Sequence, residues 1–429
     1  MPLITCIASP EMLRAAREIL LRPASQEDRN VRLVFWDAVW VGIMGAGAGT
    51  FLSVLMARLG ASNLELSLLT SIPAALSMLT TLPASKYVER QQDQVRTVTI
   101  FRALYRTVYV ILAIAPFFVQ RALIMVILIL SGIQAALKEV QGLAHFSVVS
   151  TVVPARRRPA VNGLRWAAVS VISAIAVALF GRLLEVRALL FPLNYQIMFS
   201  LTAGIGFTAL VTFRRIRMPT GERAAETHVI RAQHLRSILE PIVHNPQFTR
   251  YLACTALLRL GMALPAGLFS VFWINTLQAQ DSIIGLREMV AQTAMVVGYL
   301  VFGRLAMRRG NRTVLLLSAV GLGFYAPATA LCQNQYWLLP VAALSGFFSS
   351  GISISFFEAV AGAAPPDKRP SFSAVNNIVG GLATFAGPLL GAGIANRSGI
   401  SVAFYMASAL QMIGALLCWR LGVGRSAAA

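Results

Sequence analysis

Residues 130–163 read LSGIQAALKEVQGLAHFSVVSTVVPARRRPAVNG. The stretch begins as an apolar helix fit for a bilayer. It carries Lys138 and Glu139 in its middle and His145 two turns later, and it ends in the basic turn Pro154-Ala155-Arg156-Arg157-Arg158-Pro159. Charges in hydrocarbon are costly and are kept where they face protein or water. Lys and Arg collect at the cytoplasmic ends of spans. One segment therefore predicts both a polar pathway and a topology. A related turn, Pro365-Pro366-Asp367-Lys368-Arg369-Pro370, closes another apolar helix about 211 residues later, so the chain reads as doubled.

The composition agrees with a membrane protein. Of 429 residues, 57% are hydrophobic and only 13% charged, against roughly 25% charged in a soluble domain. The net charge of +20 is not read as a nucleic-acid surface. The Arg residues sit in short turns between apolar runs, where an anionic inner leaflet is the natural counter-surface. Cys6, Cys254, Cys332 and Cys418 are isolated in sequence, which indicates neither a metal site nor a disulfide framework. The N-terminus has no apolar core long enough for a signal peptide, so the first apolar run is expected to act as an uncleaved span.

A span needs about 20 mostly apolar residues. That rule predicts an all-α polytopic protein of about twelve spans, near 33–57, 66–84, 98–118, 122–150, 162–184, 194–213, 249–276, 283–303, 313–332, 336–362, 372–395 and 400–420. They divide into six-helix bundles at 33–213 and 249–421. These are flanked by an amphipathic segment at 1–32, a central linker at 214–248 and a tail at 422–429. One alternating set of loops holds most of the Lys and Arg, which predicts both termini in the cytoplasm of a multi-pass plasma (cell inner) membrane protein. The linker can form a surface helix with Val229, Ile230, Leu235, Ile238 and Leu239 on one side. Its histidines, and His244, lack metal-ligand spacing.

The two halves match at an offset of about 218 residues: Arg32 with Arg250, Gly49 with Gly267, Phe51 with Phe269, Leu59 with Leu277 and Arg90 with Arg308. Tandem six-span halves of this kind are related by an axis along the membrane normal. Between spans eight and nine stands Gly303-Arg304-Leu305-Ala306-Met307-Arg308-Arg309-Gly310-Asn311-Arg312. It resembles the G-x-L-A-D-R-x-G-x-R loop of the major facilitator superfamily, with Met307 where the acid usually stands. The first-half copy, Ser85-Lys86-Tyr87-Val88-Glu89-Arg90, keeps the acid at Glu89 but lacks the leading Gly. Asn245-Pro246-Gln247-Phe248 is similar to another stretch of that family. The resemblance implies two pseudo-symmetric six-helix bundles and a transporter. Glu89, Arg90, Gly303, Arg304, Arg308, Gly310 and Arg312 are read either as a cytoplasmic latch or as topogenic charge only.

In that family spans one, four, seven and ten line the central cavity. The resemblance therefore gathers Asp37, Lys138, Glu139, His145, Arg259 and Glu358 there, with Trp40, Phe269 and Trp273 as aromatic lining. Each residue also has a plainer reading. Asp37 lies about one turn inside the membrane and suits a helix-end ion pair. Glu358 lies near Lys368 and Arg369, and the aromatics suit lipid contact. Lys138 and Glu139 point about 100° apart on a helix and do not pair with each other. Glu139 is either a proton-coupling carboxylate, with His145 as relay, or one side of a static ion pair with Arg259. Arg102, Arg106, Arg165 and Glu288 fall on other spans.

Gly45-Ala46-Gly47-Ala48-Gly49 lies inside span one with no strand before it, so it reads as close helix packing and not as a dinucleotide loop. Gly387-Pro388-Leu389-Leu390-Gly391 is similar to an antiporter motif of the family. It falls in span eleven, however, where that motif belongs to span five. No P-loop, HExxH or GxSxG is present, and the chain is read as neither ATP-driven nor an enzyme, without cofactor or metal. The expectation is a monomeric secondary transporter exporting a small organic solute, coupled to protons or another ion. The alternative is a transporter-fold sensor or assembly protein.

Overall fold

The computed structural model describes residues 25–118, 122–154, 157–186, 191–218, 246–363 and 369–422. Most of the expected N-terminal segment, linker and tail lies outside them. Six helices form the first half: α1 (Gln26–Arg58), α2 (Asn63–Glu89), α3 (Gln94–Phe118), α4 (Leu123–Val152), α5 (Arg158–Leu184) and α6 (Leu193–Arg214). The second half holds α7 (Phe248–Thr276), α8 (residues 281–309), α9 (residues 311–330), α10 (Leu338–Ala363), α11 (Arg369–Ser398) and α12 (Ile400–Arg420). Apolar length alone makes α8 and α9 one run, so among the described residues eleven stretches qualify as membrane spans. Gly310 divides that run, with φ of 78°, a left-handed conformation that suits a residue without Cβ. That the chain turns back here follows from a hydrogen bond of 2.6 Å between Arg287 and the Tyr325 hydroxyl. In one straight helix those residues would stand about 57 Å apart. Twelve passes result, in two bundles of six, as the sequence predicts.

Local signals set the helix starts. Ser25 caps α1 by accepting from the Asp28 N–H. Ser62 and Glu65 form a reciprocal capping box at the start of α2, satisfying two N–H groups that the helix itself leaves unbonded. In α7, Pro265 supplies no N–H to the ladder. The helix Pro246–Ala263 stops there, resumes at Leu268–Val271, and ends in a π-helical turn, Phe272–Thr276. The corresponding part of α1, Gly45–Gly49, is also π-helical. Its glycines are used unequally. A methyl on Gly47 would lie 2.4 Å from the Thr202 hydroxyl, whereas Gly45 and Gly49 have open space.

The ends of the bundle differ. At the basic end, where α1 begins, one apolar cluster (Val34, Val88, Val98, Val148, Phe213) belongs wholly to the first half. Another there (Phe248, Leu258, Leu315, Phe372, Cys418) belongs wholly to the second. Toward the opposite, distal end a third cluster joins the halves, with Phe51, Leu66, Val177 and Tyr195 against Leu264, Phe272 and Ile284. The halves meet along α5 with α8 and α2 with α11. A methyl on Gly181 of α5 would fall 2.7 Å from the Asp281 carbonyl oxygen of α8.

Polar contacts seal the same end. Arg58 of α1 donates to the Asp281 carboxylate at 2.9 and 3.0 Å and to the Ala279 carbonyl at 3.0 Å. The Tyr195 hydroxyl donates to Asp281 at 2.9 Å, and Glu185 accepts from the Ser282 N–H at 2.8 Å. Asn63 meets Asn396 at 2.9 Å, and Ser270 meets Ser53 at 2.9 Å. These hydrogen bonds between the halves lie in the distal part of the bundle. The protein is thus closed at its distal end.

Within the second half α8 packs closely on α10. A Cβ at Gly346 would lie 2.0 Å from the Ala291 carbonyl oxygen, so Gly346→Ala forces the helices apart. We expect that substitution to cost about 1–3 kcal/mol and to lower the melting temperature of detergent-purified protein. Gly393→Ala, with open space around its Cβ, serves as the control and leaves the melting temperature unchanged or higher.

Candidate functional site

Where the joined cluster ends, the halves enclose a cavity of about 440 Å³. Thr50 and Ser53 reach it from α1, and Phe269, Ser270 and Trp273 from α7. Arg287, Glu288, Tyr325, Ser345, Ser349 and Gln411 supply its remaining polar lining. The break at Pro265 and the π turn after it lay α7 across this space, an irregularity common where helices serve a site. Phe269 stands 4.7 Å from the Tyr325 ring, 5.0 Å from Phe404 and 6.0 Å from Trp273.

The charge in this wall comes from α8. Arg287 lies with its guanidinium carbon 4.3 Å above the Trp273 ring, a favourable cation–π geometry. It donates to Glu288 at 2.8 Å and to the Tyr325 hydroxyl at 2.6 Å. Gln292 donates to the other Glu288 oxygen at 3.1 Å. A buried charge is tolerated when paired and hydrogen-bonded, as Arg287 and Glu288 are here. The Trp273 indole N–H, by contrast, is buried without one.

The residues singled out from sequence fall in several different places. Phe269 and Trp273 line the cavity as expected. Trp40 does not: it lies in a shallow groove with Ile197, Leu201 and Ile205 of α6, because its turn of α1 faces that helix. Lys138 is exposed, with its ammonium 5.6 Å from the Tyr105 ring of α3. Glu139 points the other way and accepts from Thr81 of α2 at 3.0 Å. Arg259 donates to the side chain and carbonyl of Asn376 at 2.7 and 2.9 Å, and lies over Phe356. The structure therefore does not bring Glu139 and Arg259 together. Glu358 is exposed, and its suggested partner Lys368 lies outside the described residues.

Asp37 and His145 instead belong to a second polar centre inside the first half. The Asp37 carboxylate is 1% exposed and paired with Arg102 of α3, itself 2% exposed. Arg102 also stands 3.1 Å from Nδ1 of His145, and Arg165 stands 3.1 Å from Nε2 of the same ring. A neutral imidazole has one acceptor nitrogen, so only one of these two arginines can donate to it at a time. This centre is an ion pair, the plainer of the two readings of Asp37, although its partner is in α3 and not at a helix end.

The loop at Gly303–Arg312 lies at the basic end. Arg312 donates to the Trp419 carbonyl at 2.7 Å and Asn311 to the Ser355 carbonyl at 3.1 Å, both within the second half. Gly303 is half-buried, while Glu89, Arg90, Arg304 and Arg308 are exposed. Sequence reasoning missed Arg287 and Glu288 as cavity residues. The available signal was an adjacent Arg-Glu pair, followed four residues later by Gln292, inside an apolar run.

Comparison with known proteins agrees with this architecture. Residues 251–427 match the model of the Major Facilitator Superfamily. An MFS-type transporter of Claviceps purpurea (strain 20.1) is 34% identical over 110 residues, which is 25% of this chain and only 18% of that relative. The fold matches the nucleoside transporter NupG with a TM-score of 0.65 and 12% identity, covering 93% of this chain and 99% of that one. It matches a D-xylose-proton symporter at 0.68 and 12%, covering 92% and 98%. It matches a POT family transporter at 0.71 and 10%, covering 92% and 96%. The resemblance to this superfamily read from the sequence is borne out.

Removing one member of a buried pair strands the other charge and costs about 3–5 kcal/mol. Asp37→Ala or Arg102→Ala alone should therefore lower the melting temperature sharply. The double substitution should be milder than the sum of the two. Equal and additive losses would mean that the pair carries no coupling energy.

Proposed function

We propose that this chain is a secondary active transporter that moves a small organic solute by alternating access, coupled to a proton or another ion. The observation carrying this reading is the asymmetry of the contacts between the halves. They close the distal end over a polar-lined cavity, while each half keeps its own apolar cluster at the basic end. Two rigid bundles meeting at one end can rock to meet at the other, presenting a site to each side in turn. The positive-inside bias supports the basic end as cytoplasmic, so the described state is the one closed to the outside. The Arg308 loop is proposed to bias that equilibrium by engaging when the basic ends come together.

Glu139 remains the proposed coupling carboxylate. Its recorded partner is a neutral hydroxyl, which a protonated carboxyl can also serve. Glu139→Gln is expected to bind and exchange solute while losing accumulation driven by a pH gradient. Accumulation with its normal pH dependence would remove Glu139 from this role.

The transport reading is tested at the distal seam. Cysteines at Asn63 and Asn396, joined by a short thiol cross-linker, should abolish uptake or efflux by proteoliposomes across a solute panel. Cleaving a reducible linker should restore it. Activity that survives complete cross-linking would show that the seam need not open, and alternating access at this interface would fail. A sensor would show solute binding without any flux.

A further inference from the structure

The wall of the cavity holds a buried cation and hydrogen-bond donors without acceptors. Trp273 is 8% exposed, and its indole N–H is buried with no partner, a cost that a bound acceptor would relieve. The Tyr325 hydroxyl already accepts from Arg287, which leaves its own proton to give. Each Glu288 oxygen, by contrast, already receives a donor, one from Arg287 and one from Gln292. The strongest donor, the Arg287 guanidinium, has its carbon 4.3 Å from the centre of the Trp273 ring, which makes the cation and the indole neighbours in one wall. The rest of the lining supplies apolar surface from Met262, Pro265, Phe269 and Leu322. At about 440 Å³ the space is of the size that holds small organic ligands.

We infer that the transported solute is a small organic monoanion with an apolar, ring-sized body. Its carboxylate takes one guanidinium nitrogen of Arg287 away from Glu288 and accepts the indole N–H of Trp273, while its body lies along Phe269. This rests on the transporter reading and adds to it the chemical class and the competition. Glu288 then holds the site in the absence of solute: it keeps Arg287 neutralised in the empty cavity and retains Gln292 when displaced. The arrangement disfavours a cationic amine, because the aromatic face nearest the carboxylate is already occupied by Arg287.

The test uses the full chain, purified in lipid nanodiscs, with benzoate, benzyl alcohol and benzylamine as probes and calorimetry as the readout. Benzoate is expected to bind saturably and the other two not. Trp273→Phe, which keeps the ring and removes the donor, should weaken benzoate about tenfold, the size of one hydrogen bond to a charged group. Glu288→Gln should tighten it about tenfold by removing the competing charge. Both are conservative in shape, and their folding is checked by melting temperature. Benzylamine binding that is lost in Glu288→Gln would reverse the assigned charge and overturn the inference. Benzoate affinity unchanged in both variants, or no binding of benzoate, would overturn it as well. Cross-linking yield between Asn63→Cys and Asn396→Cys, measured on the same preparation, separates the two levels. A seam that opens in a protein deaf to benzoate rejects the solute class and leaves transport standing. A seam that never opens rejects both.

Discussion

Asp281 is a carboxylate at the first turn of α8 whose charge is answered from across the molecule. Arg58 and Tyr195 both come from the other half, and the positive end of its own helix adds to them. The residues around it depend on this arrangement. Gly181 and Gly285 let α5 and α8 approach closely enough for the contact, and Glu185 takes up the next N–H of α8. Six residues further along the same helix comes Arg287. The seam that shuts the distal end and the cation that charges the cavity are thus carried on one rigid rod, so movement at the seam must move the cavity wall.

The first half solves a different problem with similar chemistry. Asp37, Arg102, His145 and Arg165 come from α1, α3, α4 and α5, and they hold four helices of that bundle together from within. Arg102 lies over Phe213 of α6, adding a further helix. A bundle bound in this way moves as a body. Alternating access by rocking requires that property, and an apolar interior in lipid would specify it less sharply.

Much of the fold was legible in the sequence because a bilayer demands length and apolarity, and both are countable. Even the hairpin at Gly310, which apolar length alone runs together, was marked by its basic loop. The site was less legible. A helix between protein and lipid is apolar on both faces, so composition does not say which face Trp40 presents. Arg102 and Asp37 are 65 residues apart, and nothing in their spacing announces a pair. Arg287 lies about one turn inside the predicted span 283–303, where a cation also reads as an interfacial charge. Phe269 and Trp273 were found because the resemblance puts span seven on the cavity, an inference about helices that happened to hold for these two faces.

Glu185 gives the closed seam a further property. The start of α8 has backbone N–H groups that its own helix cannot satisfy, and the residue before it offers no side-chain cap. A carboxylate from the opposite half takes up one of them. When the halves part, that group and the freed carboxylates of Glu185 and Asp281 must be met by solvent, since nothing in hydrocarbon can replace the lost bonds. Opening the distal end is therefore a wetting transition as much as a rotation. Its free energy includes the hydration of a helix terminus, and the equilibrium between the two states should respond to the activity of water as well as to the solute it carries.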